Sequence, residues 1–291
     1  MHLVSFIHGR ERRLGALLAA PNEHSVVDLN RVDPQLPTDM IALLQSGAAG
    51  LARAQSARDG AGPAAVMALQ DVTLTAPVLR PSKIICIGLN YRDHAAESNM
   101  PIPEYPTVFA KYPSCVIGPG EAIVLPRISS QVDYEGELAV VIGRQAHHVT
   151  EAAALDYVAG YMPFNDVSAR DFQHRTSQWT IGKTFDTFGP MGPALVTADE
   201  APDPQNLHLR VTIGGEELQS SHTGQMIFSV VQLIAYLSAV MTLEPGDVIA
   251  TGTPGGVGAA RTPARFLRAG ETVRVAIEGL GILENPVVAE A

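Results

Sequence analysis

Two carboxylates two residues apart, Glu135 and Glu137, stand in a run over residues 132–143 that also carries Asp133 and is apolar beyond these acids. The run is rich in β-branched residues and stops at Gly143, so it reads as a strand. Side chains two apart on a strand share a face, which sets Glu135, Glu137, Ala139 and Val141 on one side and Gly136, Leu138, Val140 and Ile142 on the other. Both faces are apolar beyond the acids, so the strand reads as buried, with two like charges roughly 7 Å apart at their Cα atoms. Each unpaired buried ion costs several kcal/mol, and a cation between the two relieves that cost. A hard divalent ion such as Mg²⁺, which takes carboxylate and water oxygens, suits the pair. A bare E-x-E on a solvated edge strand is the alternative. Asp166 ends a second apolar run, over residues 158–166, and is a candidate third carboxylate or the N-cap of a following helix.

Acid–base candidates lie elsewhere in the chain. His94 and Glu97 are three apart on a short helix that Asn90 is placed to cap, so the carboxylate neighbours the imidazole, fixes its tautomer and raises its basicity. Such a pair suits a general base working on water; a surface pair at helical spacing is the plain alternative. The Pro-rich residues 100–106 follow directly, and a short helix with that continuation reads as a mobile lid. Lys111 closes an apolar strand over residues 107–111. Lys183 sits within an apolar and aromatic segment, where a semi-buried ammonium needs an anionic partner such as a substrate oxyanion or carboxylate.

The elements that must position these groups fit a chain of 291 residues, enough for a large domain and a small one. With 46% hydrophobic and 17% charged residues the composition is that of a globular protein, and a formal net charge of −10 offers no basic patch for nucleic acid or an anionic membrane. Cys86 and Cys115 form no C-x-x-C pair, which fits a reducing setting and gives neither a disulfide framework nor a zinc site. Residues 1–7 are too short an apolar run for a targeting segment and meet Arg10, Arg12 and Arg13 at once, so the cytoplasm is the expected location. Residues 226–243 carry no charge, but Ser229, Gln232 and Tyr236 fall on one side at helical spacing, which predicts an amphipathic helix on a core and no membrane span.

Residues 1–75 read as a small N-terminal α+β domain. Strands are expected over residues 3–7 and 14–18, joined by the polar turn 8–13, and a helix capped by Thr38 or Asp39; the Ala- and Gly-rich stretch to Ala65 is weakly specified. Pro77 and Pro81 mark the boundary to a main domain over residues 76–291. The Gly-rich residues 252–258 lack a G-K-[ST] and a third Gly at dinucleotide spacing, so they are read as a turn. Residues 219–225 are a candidate for substrate or subunit contacts, His147, His148, His174 and His208 have no partner pattern and are expected at the surface, and residues 259–268 are expected as a solvated basic loop.

In combination, N-Y-x-x-H-x-x-E, D-Y-E-G-E-L, N-D-V-S-A-R-D-x-Q, G-K-x-F-D, M-I-F-S, L-E-P-G-D-V-I-x-T-G-T-P-x-G-V-G and I-E-G-x-G-x-L-x-N-P run in order over residues 80–288. The chain thereby resembles the fumarylacetoacetate hydrolase family. The resemblance implies an α+β, mostly β fold with a mixed β-sheet roll, a divalent metal (Mg²⁺ or Mn²⁺) on Glu135, Glu137 and Asp166, and a homodimer. It implies His94 and Glu97 as a dyad on a lid, Lys183 as a polarising lysine, and Arg170, Gln173, Thr253 and, more weakly, Lys111 against the substrate. The implied activity is metal-dependent hydrolysis of a carbon–carbon bond in an acylpyruvate-like or fumarylacetoacetate-like diketo acid, a step of aromatic catabolism. In that reading Glu97-assisted His94 activates water and Lys183 holds the developing oxyanion. The same site without an admitted water gives the alternative, a lyase or isomerase of a 2-oxo acid, as in oxaloacetate decarboxylation or hydroxymuconate and heptadienedioate isomerisation.

Overall fold

The structure is a computed structural model that describes residues 1–18 and 24–291. An 11-stranded mixed sheet runs through it. Its centre is the antiparallel pair Gly136–Ile142 and Val158–Asn165, both drawn from apolar runs and almost wholly buried. On one side Gly136–Ile142 pairs with Val248–Ala250, which pairs in parallel with Ile84–Gly88, and Thr107–Lys111 closes that edge. On the other side Val158–Asn165 pairs with Leu195–Thr197, and this strand joins His2–His8. The N-terminal strands therefore continue the main sheet, through Glu11–Leu17, Ser25–Asp28 and Val66–Ala68.

A five-stranded sheet, with His208–Ile213 and Thr272–Ile277 at its middle, packs on the central pair. Gly136 is required at that contact, because a Cβ there would lie 2.3 Å from the Val211 side chain. The close approach of the two sheets brings the E-x-E strand against buried Gln219 on the neighbouring strand Glu216–His222. The architecture is α+β and mostly sheet, as the family resemblance implies.

Local elements agree in part. Asp39 caps Met40–Gln45 by accepting from Ala42 N at 3.0 Å. The amphipathic helix is Val230–Val240, closed at its start by a Ser229–Gln232 capping box and buried through Leu233, Ile234 and Leu237. Among the described residues no helix is long and apolar enough to cross a membrane. The Ala- and Gly-rich stretch forms a 13-residue helix, Gly47–Asp59, which Ala54 and Ala57 dock on the core. The first two strands are longer than expected, with Gly9 at φ +65° between them.

Two expected caps are not caps. Asn90 is buried, donates to the carbonyls of Phe228 and Thr251 and accepts from Phe228 N, so it ties three segments together and has no amide left for the helix Arg92–Glu97. Asp166 lies before a further short strand pairing, and the helix Arg170–Gln173 begins after Ala169 without a side-chain cap.

Candidate active site

At the open end of the central pair a cavity of about 440 Å³ gathers the acid and base residues. Its polar floor comes from the central strands. Glu135 lies just before the strand Gly136–Ile142 and Glu137 within it, and Asp166 follows the partner strand. All three are buried, and one carboxylate oxygen from each falls within 4.8 Å of the others. Glu135 N donates to Asn165 Oδ1 at 3.0 Å and Asp166 N to Glu135 O at 2.8 Å, so the two acids on different strands are locked in register.

Three buried cations surround this triad. Lys183 Nζ is 2.6 Å from Glu135 Oε2 and 2.9 Å from Asp166 Oδ2, and Lys111 Nζ is 2.6 Å from Asp166 Oδ1. The Arg170 guanidinium is 2.6 Å from Glu135 Oε1 and 2.9 Å from Asp133 Oδ2, and also donates to Gln173 Oε1. Burial alone would raise the Glu135 carboxyl, but Arg170 and then Lys183 outweigh it and hold it at about 2. Glu137 differs. Burial, Asp166 and Glu135 together push its carboxyl well above the usual range, and its one hydrogen bond is from Gly252 N at 2.8 Å.

Among the described residues, Asp133, Glu135 and Asp166 pair with Arg170, Lys111 and Lys183, and Glu137 is left without a cation partner. An all-oxygen donor set with an unneutralised buried charge fits a hard divalent cation, and Glu135, Glu137 and Asp166 are the residues that would hold it.

The other side of the cavity is the helix Arg92–Glu97. His94 Nδ1 stands 3.4 Å from Glu97 Oε2, and the Glu97 carboxylate accepts from Gly256 N at 2.9 and 3.0 Å. Among the described residues the imidazole's second nitrogen has no hydrogen-bond partner, as a base requires. Thr253, Gln173, Ile87, Phe109 and Trp179 complete the wall. Gly88 admits the Trp179 ring, which a Cβ would meet at 2.3 Å.

His94, Glu97, Glu135, Glu137, Arg170, Gln173, Lys183 and Thr253 therefore line one cavity, and Asp166 joins them through the triad. Lys111 does not line it. The lysine is fully buried behind Asp166, held there by that carboxylate and by Val167 O at 3.1 Å, because a buried ammonium must spend its protons on the nearest acceptors. The Thr253 hydroxyl is likewise engaged, donating to Gly136 O and accepting from Gln219 Nε2. His174, expected as a bystander, is exposed at the cavity's rim. Ala259 and Ala260, expected in a solvated loop, line the wall.

Asp133 escapes the sequence reading, and Gln219, expected in a segment for substrate or subunit contacts, is found as a brace. Asp133 accepts from Gly258 N, Ala259 N and Arg170 Nε, which joins the Gly-rich turn to the floor. Gln219 accepts from Gly136 N and donates to Thr253 and to Pro254 O. For Asp133 the available signal was a further acid in the same run as Glu135 and Glu137.

The family model for the fumarylacetoacetate hydrolase C-terminal domain matches residues 83–288. The chain belongs to the fumarylacetoacetate hydrolase family. It is 47% identical over 273 residues to the mitochondrial oxaloacetate tautomerase of Homo sapiens, covering 93% of this chain and 86% of that protein. Among solved structures it resembles the 2-hydroxyhepta-2,4-diene-1,7-dioate isomerase of Mycobacterium marinum, with TM-score 0.79, 34% identity and coverage of 100% and 99% of the two chains. The maleylpyruvate hydrolase of Sphingobium sp. SYK-6, solved with manganese(II) and pyruvate, matches with TM-score 0.83 and 31% identity over 100% of both chains.

One expectation falls here. The oxaloacetate tautomerases of Xenopus laevis, Homo sapiens and Rattus norvegicus, 47–48% identical to this chain, are mitochondrial, which overturns the cytoplasmic assignment. Reduced cysteines suit any reducing compartment, so Cys86 and Cys115 could not discriminate between the two.

Proposed function

We propose that this protein is a divalent-metal-dependent isomerase that interconverts the keto and enol forms of a small 2-oxo dicarboxylic acid of the oxaloacetate type. The observation that carries the reading is the 47% identity, across 93% of the chain, to a named oxaloacetate tautomerase, in a chain whose own acid–base pair and carboxylate triad share one cavity. It favours the isomerase branch over carbon–carbon hydrolysis.

The cation, when bound by Glu135, Glu137 and Asp166, supplies a Lewis acid that polarises the 2-oxo carbonyl. The chain's residues do the rest. Lys183 and Arg170 keep Glu135 anionic, and Lys183 and Lys111 hold the Asp166 carboxylate in place at 2.9 and 2.6 Å. His94, held by Glu97, takes a proton from the carbon next to the carbonyl and returns it to the carbonyl oxygen, or carries it in reverse. Both bond changes are proton transfers, so no water is consumed. The apolar wall of Phe109, Trp179 and Ile87 limits water around the exchanging proton.

The test is to follow enol absorbance and C3 deuterium uptake of oxaloacetate with Mg²⁺ or Mn²⁺. Metal-dependent acceleration of both, without pyruvate release, is expected. The second reading, hydrolysis, is favoured by the likeness to the maleylpyruvate hydrolase. It prevails if acylpyruvates are cleaved, with oxygen-18 from water in the acid product, at a higher kcat/KM than tautomerisation.

A further inference from the structure

The helix that carries His94 is six residues long, has no side-chain N-cap, and buries only Ala95. An isolated helix of that length does not hold itself. What fixes it is a set of polar contacts from outside. Asp93 Oδ2 accepts from Ser221 Oγ, while Asp93 Oδ1 accepts from His94 N at 2.8 Å and from Gly255 N at 3.3 Å. Glu97 reaches the next amide of the same turn, Gly256 N.

Ser221 is two residues from Gln219 on the strand Glu216–His222. Gln219 grips Thr253 and Pro254 and Ser221 grips Asp93, so one strand holds both the Gly-rich turn and the helix that leans on it. Neither Asp93 nor Ser221 lines the cavity.

We propose that Ser221 and Asp93 are positioning residues, a latch that holds the His94 helix shut over the cavity and aims the imidazole at its floor. The proposal rests on the reading of His94 as the base. If Asp93 served only as a favourable charge in the first turn of its helix, Ser221 would be irrelevant to the helix. If the latch operates, loss of the hydroxyl lowers the fraction of molecules in the closed state, and apparent substrate affinity falls by that fraction while the closed state itself is unchanged.

The experiment uses the full-length, Mn²⁺-loaded protein. In Ser221→Ala, amide hydrogen exchange over residues 92–104 is expected to quicken about tenfold without substrate, with KM for oxaloacetate up about tenfold and kcat within twofold of wild type. Asp93→Asn should act in the same direction, Ser221→Ala should add nothing to it, and Ser221→Thr, which keeps the hydroxyl, should behave as wild type. Unchanged exchange in both single variants overturns the latch, as does a loss of kcat at constant KM. Should Ser221→Ala not fold, Asp93→Asn carries the same exchange measurement. Exchange needs no substrate, so a faster helix in a protein that tautomerises no 2-oxo acid would sink the functional reading and leave the latch standing.

Discussion

The floor and the roof of the cavity are built on opposite principles. The floor places Glu135, Glu137 and Asp166 in or at the ends of two central strands, buried and braced by three cations that are themselves buried. The roof places His94 and Glu97 on a single exposed turn and a half of helix, held by the backbone amides of Gly255 and Gly256 and by Ser221. Charges that must stay close despite repulsion need a rigid, low-dielectric frame. A base that must meet a substrate and release it needs few contacts and an open edge.

The sharpest break of that comparison is within the floor itself. Glu137→Gln should abolish metal binding, by at least about 100-fold measured by calorimetry, and turnover with it. The metal-free fold should survive, since no cation loses its partner. Because its folded carboxyl lies above the ordinary 4.5, the folded state holds more protons than the unfolded one in that window, and metal-free stability should fall as pH rises through it. The Gln variant should lack this fall. Glu135, held at about 2, has the reverse sign, contributing stability above 4.5 that is lost as pH drops toward 2.

Lys111→Met tests the bracing. It strips Asp166 of one buried partner and should cost about 3–5 kcal/mol in chemical denaturation, the range for breaking a buried ion pair. His94→Ala tests the roof, and should lower tautomerisation by about 10²–10⁴ with metal affinity and melting temperature nearly unchanged. Equal stability losses in Lys111→Met and His94→Ala would erase the distinction between a rigid floor and a lightly held roof.

The floor is far more legible in sequence than the supports around it. Two acids inside a β-branched run are a physical contradiction that demands a cation, so Glu135 and Glu137 announce themselves, and the central strand with them. Lys111 carries no such mark. Its partner Asp166 lies 55 residues away, and only the pairing of strands shows that the lysine faces an acid and not a ligand. Asn90 misleads for the same reason, since a cap and a buried three-way tie ask for the same amide. The Asp93–Ser221 contact spans 128 residues and leaves no local pattern. Local chemistry is written locally, and bracing is written in topology.

The smallest effect should come from the seam where floor and roof meet. Trp179 lies against Gly88 so closely that a methyl at that position would stand 2.3 Å from Cζ3. The indole packs edge-on against Phe109, with ring centroids 5.5 Å apart, and the Phe109 ring in turn lies 5.1 Å from Lys183 Nζ. Gly88→Ala must therefore move the indole, which lines the cavity, and such overpacking typically costs about 1–3 kcal/mol. Lys183 has little reason to follow, because two carboxylates hold its ammonium at 2.6 and 2.9 Å. The shape of the cavity changes while the charged floor does not. KM for oxaloacetate should rise by about tenfold with kcat within about threefold of wild type, read from initial rates of enol loss at saturating metal. A fall in kcat matching the rise in KM would show that the aromatic seam transmits motion to the floor, and that floor and roof are one mechanical unit.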